Sequence, residues 1–160
     1  MRRRWWVPAF ALLAWLTVAA GIPARERSAL AADKSPGRPA SREVAAEIGQ
    51  ALEAAVARFN ARDAPGVLAF VSESYRTGPL TKAALAEQLH AVFALHDEVT
   101  ARVRIESVRI VGETAWVYTS GNVAGKPRWV GRSLPVFSWT RELEVARREP
   151  NGWRLFGYQR

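Results

Sequence analysis

The chain has 160 residues, enough for one domain with a real core, since 49% of them are apolar. It has no cysteine, which excludes disulfides, thiolate metal sites, thiol catalysis and a lipidated N-terminal cysteine. The formal net charge is +8, from 23 Lys and Arg against 15 Asp and Glu, but the basic residues are interleaved with acids and form no stripe of the kind that tracks a nucleic acid.

Residues 1–31 read as an export signal. Arg2, Arg3 and Arg4 form a basic start, residues 7–20 an apolar run, and Ala29-Leu30-Ala31 a small-x-small cleavage site. The apolar run is shorter than the ~20 residues a membrane span needs. The leader is either removed after Ala31 or retained as an anchor. Either outcome places the domain outside the cytoplasm, periplasmic or secreted, and a membrane is reached only through a retained leader. Residues 32–40, with two prolines and a glycine, read as a linker, and residues 41–160 as the domain.

The domain opens with Arg42–Asn60, where Val44, Ile48, Ala51, Leu52, Ala55, Val56 and Phe59 recur at the spacing of one helix face. Ser41 is its candidate N-cap. Asp63 caps a short second helix with Pro65 in its first turn, and residues 72–78 read as a short strand or loop around Tyr75. Thr81 caps a third helix running to about Asp97, with Leu85, Leu89, Val92, Phe93 and His96 on one side.

After Glu98 the period changes to two. Val99, Ala101, Val103 and Ile105 alternate with polar residues, and the parity then switches at Ser107, which predicts a bulge or bend. Residues 114–123 form a second strand with Trp116 and Tyr118 on one face. Residues 121–131, rich in glycine, read as a hairpin connection carrying Trp129. Residues 134–148 form a third strand. Pro150-Asn151-Gly152 is a tight turn, and residues 153–159 close the chain. The expected fold is α+β: three N-terminal helices packed on a curved antiparallel sheet of four or more strands.

Several residues in this order resemble a known family. Residues 55–63 (AVARFNARD) with 66–70 (GVLAF) resemble the opening of the nuclear transport factor 2-like, or SnoaL-like, superfamily, and residues 145–155 (VARREPNGWRL) resemble its closing hairpin. The resemblance spans residues 41–160. It implies a cystatin-like cone, a sheet wrapped round the long helix with a pocket at its open end; dimerisation through the sheet is common among members. Members include ketosteroid isomerases, polyketide cyclases and dehydratases, so the resemblance alone does not fix an activity. Where the steroid-isomerase type carries a helix tyrosine and a strand aspartate, this chain has Ala55 and about Pro79. Where members often place pocket histidines on the last strand, it has Gly157 and Gln159.

No catalytic constellation emerges. His96 is the weak candidate for a base, but Asp97 beside it points about 100° away on a helix, and two histidines without carboxylate companions make no metal site. Alternation over residues 137–145 places Arg141 on the apolar face with Phe137, Trp139, Leu143 and Val145. There its planar fork suits a carboxylate or other anionic group; the alternative is a structural ion pair with Glu73 or Asp97. Trp139, Trp116, Tyr118 and Tyr75, with Gln159 as an amide handle, are the candidate lining of a pocket. These residues point to a binding domain for a small, anionic, partly apolar ligand or for a protein partner, with no cofactor. The alternative is a small cyclase, dehydratase or isomerase using His96.

Overall fold

The computed structural model describes residues 36–158. The leader, residues 32–35 of the linker and Gln159 lie outside them. The order is β1 (Arg38–Pro39), α1 (Arg42–Asn60), α2 (Ala64–Leu68), β2 (Arg76–Thr77), β3 (Leu80–Thr81), α3 (Lys82–Leu95), β4 (His96–Val111), β5 (Thr114–Pro127), β6 (Leu134–Glu149) and β7 (Gly152–Leu155). The fold is α+β. One antiparallel sheet runs β1-β4-β5-β6-β7, and β2 and β3 pair separately.

The caps expected from sequence set the helix starts. The Ser41, Asp63 and Thr81 side chains accept from the Val44, Gly66 and Ala84 backbone N–H groups. Part of the linker is not a linker: Arg38 and Pro39 pair with Ile110 and Arg109, and the Arg109 guanidinium donates to the Pro36 and Gly37 carbonyls (3.2 and 2.6 Å). Helix α3 also ends earlier than its apolar stripe suggests. His96 already has extended backbone (φ −122°, ψ 138°) and begins β4 with no loop between. Its Nδ1 sits 2.9 Å from the Val92 carbonyl, taking the place of the backbone donor that the helix end lacks.

Strand β5 continues to Pro127, through glycines that composition assigns to a loop. The reason is packing. A Cβ on Gly121 would overlap the Trp139 ring, and one on Gly125 would overlap the His96 ring. These glycines let aromatic rings lie flat on the strand.

Two irregularities decide which side chains face inward. Between Ile105 and Ser107 the β4–β5 register shifts, where the parity of the sequence changes. A second shift was not foreseen. Thr119 pairs with Glu142 but Gly121 pairs with Trp139, so β6 carries one extra residue opposite Ser120. Arg141 sits in that bulge with φ 52°, and its N–H donates to the Ser120 hydroxyl (3.0 Å). Before the bulge Phe137 and Trp139 face inward; beyond it Glu142, Glu144 and Ala146 do, opposite Thr119, Val117 and Ala115.

Helix α1 lies on this inner face and is clamped at both ends. At one end Glu47 accepts from Trp153 Nε1 (3.0 Å) and Arg148 (3.2 Å). At the other the Asn60 amide exchanges two hydrogen bonds with the Ala101 backbone (3.2 and 2.7 Å), pairing as an added strand residue would. The core is correspondingly split. One cluster gathers Phe59, Leu85, Leu89, Phe93 and Trp139; the other gathers Ile48, Ala115, Val117, Ala146 and Trp153. Of the expected helix stripe only Ile48 and Phe59 are buried; Ala51, Leu52, Ala55 and Val56, between the clamps, are half-buried.

Candidate functional site

The gap between the two clusters is a hollow of about 110 Å3 under the middle of α1, partly open to the surface. Ala51, Leu52, Ala55 and Val56 form its roof, and Val117, Val123, Trp139 and Ala146 its floor. Nearly every lining atom is apolar. The ionisable lining residues are Glu144 and Arg154. Arg154 stands at one edge, with its guanidinium 5.7 Å from the Phe70 ring centre and donating to the Trp153 carbonyl (3.2 Å). Glu144 is different: it is 3% exposed, and among the described residues it has neither a hydrogen bond nor an ion pair.

A carboxylate without a partner in apolar surroundings holds its proton. Burial pushes the Glu144 carboxyl well above the ordinary carboxylate range, and the charge of Glu142, two residues away on the same face, adds to the shift. Burial raises Glu142 too. Tyr75 belongs to the same electrostatic neighbourhood. It is 2% exposed, its hydroxyl has no hydrogen-bond partner among the described residues, and burial holds the proton on the phenol. Raised in this way, the Glu144 carboxyl favours its protonated form, which offers one O–H donor with acceptor capacity beside it in a largely apolar chamber.

The residues singled out from sequence fall in different places. Trp139 lines the hollow and donates from Nε1 to the buried Thr119 hydroxyl (3.1 Å). Tyr75 is in the core beside it rather than on its wall. Arg141, Trp116 and Tyr118 are not on the inner face: the β6 bulge turns Arg141 outward, 5.0 Å over the Tyr118 ring, so it does not anchor an anion in the hollow. Nor does it pair with Glu73 or Asp97, which meet Lys82 (2.6 Å) and Arg128 (3.9 Å). His96 is buried against Gly125, away from the hollow, and Asp97 does not orient it. Glu144 was missed because alternation was carried unbroken through Arg141. Counting instead from the tight turn at 150–152 finds it: Leu155 pairs with Ala146, and Glu144 follows two residues on, on the same face.

Among the described residues no three His, Asp or Glu side chains converge on a possible metal site, and no helix is long and apolar enough to cross a membrane.

No protein-family model matches the chain, and no curated protein sequence matches it. Solved structures do. A conserved protein from Planctomyces limnophilus superposes with a TM-score of 0.63 at 14% identity, over 73% of this chain and 94% of that one. A nuclear transport factor 2 (NTF2-like) superfamily protein from Salmonella enterica gives 0.61 at 17% identity, over 74% and 89%. A ketosteroid isomerase-like protein from Erwinia carotovora atroseptica gives 0.58 at 24% identity, over 73% and 94%. At these identities the likeness is one of fold.

Proposed function

We propose that this chain, which has the nuclear transport factor 2-like fold, is a binding module that takes a small, mostly apolar molecule into the hollow under α1 and holds it by one polar contact at Glu144. The observation that carries this reading is the carboxyl of Glu144, without a hydrogen bond or ion pair among the described residues, on the wall of a largely apolar chamber. Two features coincide there. The lining exposes apolar surface, which is worth about 25 cal/mol per Å2 when covered. The carboxyl of Glu144 has no hydrogen bond among the described residues. A ligand answers both at once, by covering the apolar lining and by bonding to the acid. The size favours a single ring or a short branched chain, since an engineered cavity of ~150 Å3 takes benzene. The leader's sequence supports an exported setting for this module.

A second reading has its own observation. A carboxyl whose pKa is raised by burial well above the ordinary range is equipped as a general acid, so the module is an enzyme if its ligand carries a group that reacts on protonation. Structures of similar fold include the ketosteroid isomerase-like protein named above and a putative dehydratase from Streptomyces avermitilis.

The test is methyl-resolved NMR of the protein with small aromatic fragments. Binding is expected to shift the methyls of Leu52, Val117 and Ala146 together, and Ala55→Phe, which places a ring in the hollow, is expected to abolish the shifts. Fragments that move only surface resonances, or that bind equally well to a folded Ala55→Phe variant, contradict the assignment.

A further inference from the structure

The hollow carries ionisable groups as well as apolar ones: Glu144 and Arg154 line it, and a second acid lies beyond Glu144 on the same strand face. Glu144 lies on the wall, and Glu142 stands on the same face one residue pair further along. The basic side chains of the same strands are directed elsewhere. Arg141 is turned by the bulge onto Tyr118 (5.0 Å), and Arg147 lies 4.0 Å over the Phe156 ring and 3.2 Å from Glu149. Arg148 is 3.2 Å from Glu47. From the other elements packed round Glu144, α1 contributes Glu47 at its clamped end, already taken by Trp153 and Arg148, and β7 contributes Arg154 at the edge over Phe70. The segment after α2 contributes the neutral phenol of Tyr75. The inward faces of β4, β5 and α3 offer Ala101, Val103, Val117, Thr119, Leu85 and Leu89, none of them ionisable.

We infer that the ligand is a small apolar amine, whose nitrogen seats against Glu144 with Glu142 behind it and whose hydrocarbon fills the space under α1. This rests on the binding reading above and narrows it to a ligand class. Three ligand classes fit the volume, and they differ at the acid. An alcohol or ketone gains one neutral hydrogen bond. A carboxylate meets two acids at that wall, with Arg154 as the cation on the lining, and gains least at Glu144. An ammonium gains a charge-assisted bond, about twice as strong as a neutral one. Screening by water is weak there, because Glu144 is buried. The rings of Trp139, Phe59 and Trp153 on the walls add faces that favour a cation.

The proton balance is explicit. The protein carries Glu144 as a carboxylic acid and the amine arrives as an ammonium. On binding, Glu144 releases one proton to solvent, and the ammonium N–H donates to the resulting carboxylate. Amine affinity therefore rises with pH, by up to tenfold per pH unit below the Glu144 pKa, and levels off above it. Binding of an alcohol releases no proton and has no such rise.

Cyclopentylamine, cyclopentanol and cyclopentanecarboxylate, which share one ring, are the probes. NMR titration of the full-length chain from pH 6 to pH 9 is expected to show amine affinity rising with pH until the amine binds at least about tenfold tighter than the alcohol, whose affinity stays flat, with the carboxylate weakest. Glu144→Gln is expected to remove the preference for the amine, so that amine and alcohol bind within about threefold of each other. Glu142→Gln is expected to reduce the preference without removing it. Alcohol binding as tight as amine binding, or an amine preference that survives in Glu144→Gln, overturns the assignment of an amine and leaves the binding hollow standing. Binding of none of the three probes overturns the hollow as a ligand site, and the amine with it.

Discussion

Glu144→Leu is expected to raise the melting temperature of the ligand-free protein by roughly 5–10 °C. The substitution replaces a buried acid that has no partner among the described residues by an apolar side chain in apolar surroundings, which recovers about 2 kcal/mol. Glu144→Gln separates the ionisable part of the effect. The folded-state pKa of Glu144 is raised, chiefly by burial and then by Glu142. Its contribution to stability is therefore fully present below the unfolded-state value of about 4.3 and is lost as pH rises through the folded-state value. The wild type is expected to lose stability across that window, and Glu144→Gln to match it at the acid end and exceed it at the alkaline end. Thermal melts of the three proteins from pH 4 to pH 9 are the measurement. A variant that melts lower than wild type at every pH means that the carboxyl has a stabilising partner.

The second large effect lies at the end of the same helix. Phe59 is fully buried, its ring 5.4 Å from and tilted 51° to that of Phe93, and it ties α1 to α3 beside the Asn60 clamp. Phe59→Ala is expected to cost about 3–5 kcal/mol in chemical denaturation. Leu52→Ala, on the same stripe but over the hollow, is expected to cost less than about 1.5 kcal/mol, because fewer packed neighbours lose contact. Equal costs would mean that the space under α1 is filled.

That contrast shows what the residue pattern can and cannot reveal. The stripe from Val44 to Phe59 announces a helix and the face it turns to the sheet, because burial anywhere along that face requires apolar residues at this spacing. It does not announce the hollow, because residues that line an apolar cavity and residues that fill a core are chemically the same. The alternation of β4 and its break near Ser107 are legible for a similar reason: one inward face, with a register shift between Ile105 and Ser107. Strand β6 defeats the same rule. Beyond Arg141 the apolar residues Leu143 and Val145 face away from α1, where the end of the chain meets them. Tyr158 donates its hydroxyl to the Leu143 carbonyl (2.7 Å), and the Phe156 N–H donates to that of Val145 (2.8 Å). The acids Glu142 and Glu144 face inward instead. Local pattern and global fold disagree over these residues, and such disagreement is expected where a chain keeps a site rather than a core. Gly121 and Gly125 mislead in a simpler way, since a glycine under an aromatic ring and a glycine in a turn look alike in a sequence.

The central claim is that α1 roofs an apolar hollow whose wall carries a protonated Glu144. The most direct measurement is a pH titration of side-chain carboxyl carbons by 13C NMR, with Glu144→Gln to assign the resonance. The account predicts one glutamate carbon that titrates well above the ordinary carboxylate range, is absent from Glu144→Gln, and moves to lower pH when Glu142→Gln removes the neighbouring charge. A Glu144 carbon that titrates together with the exposed glutamates would contradict it.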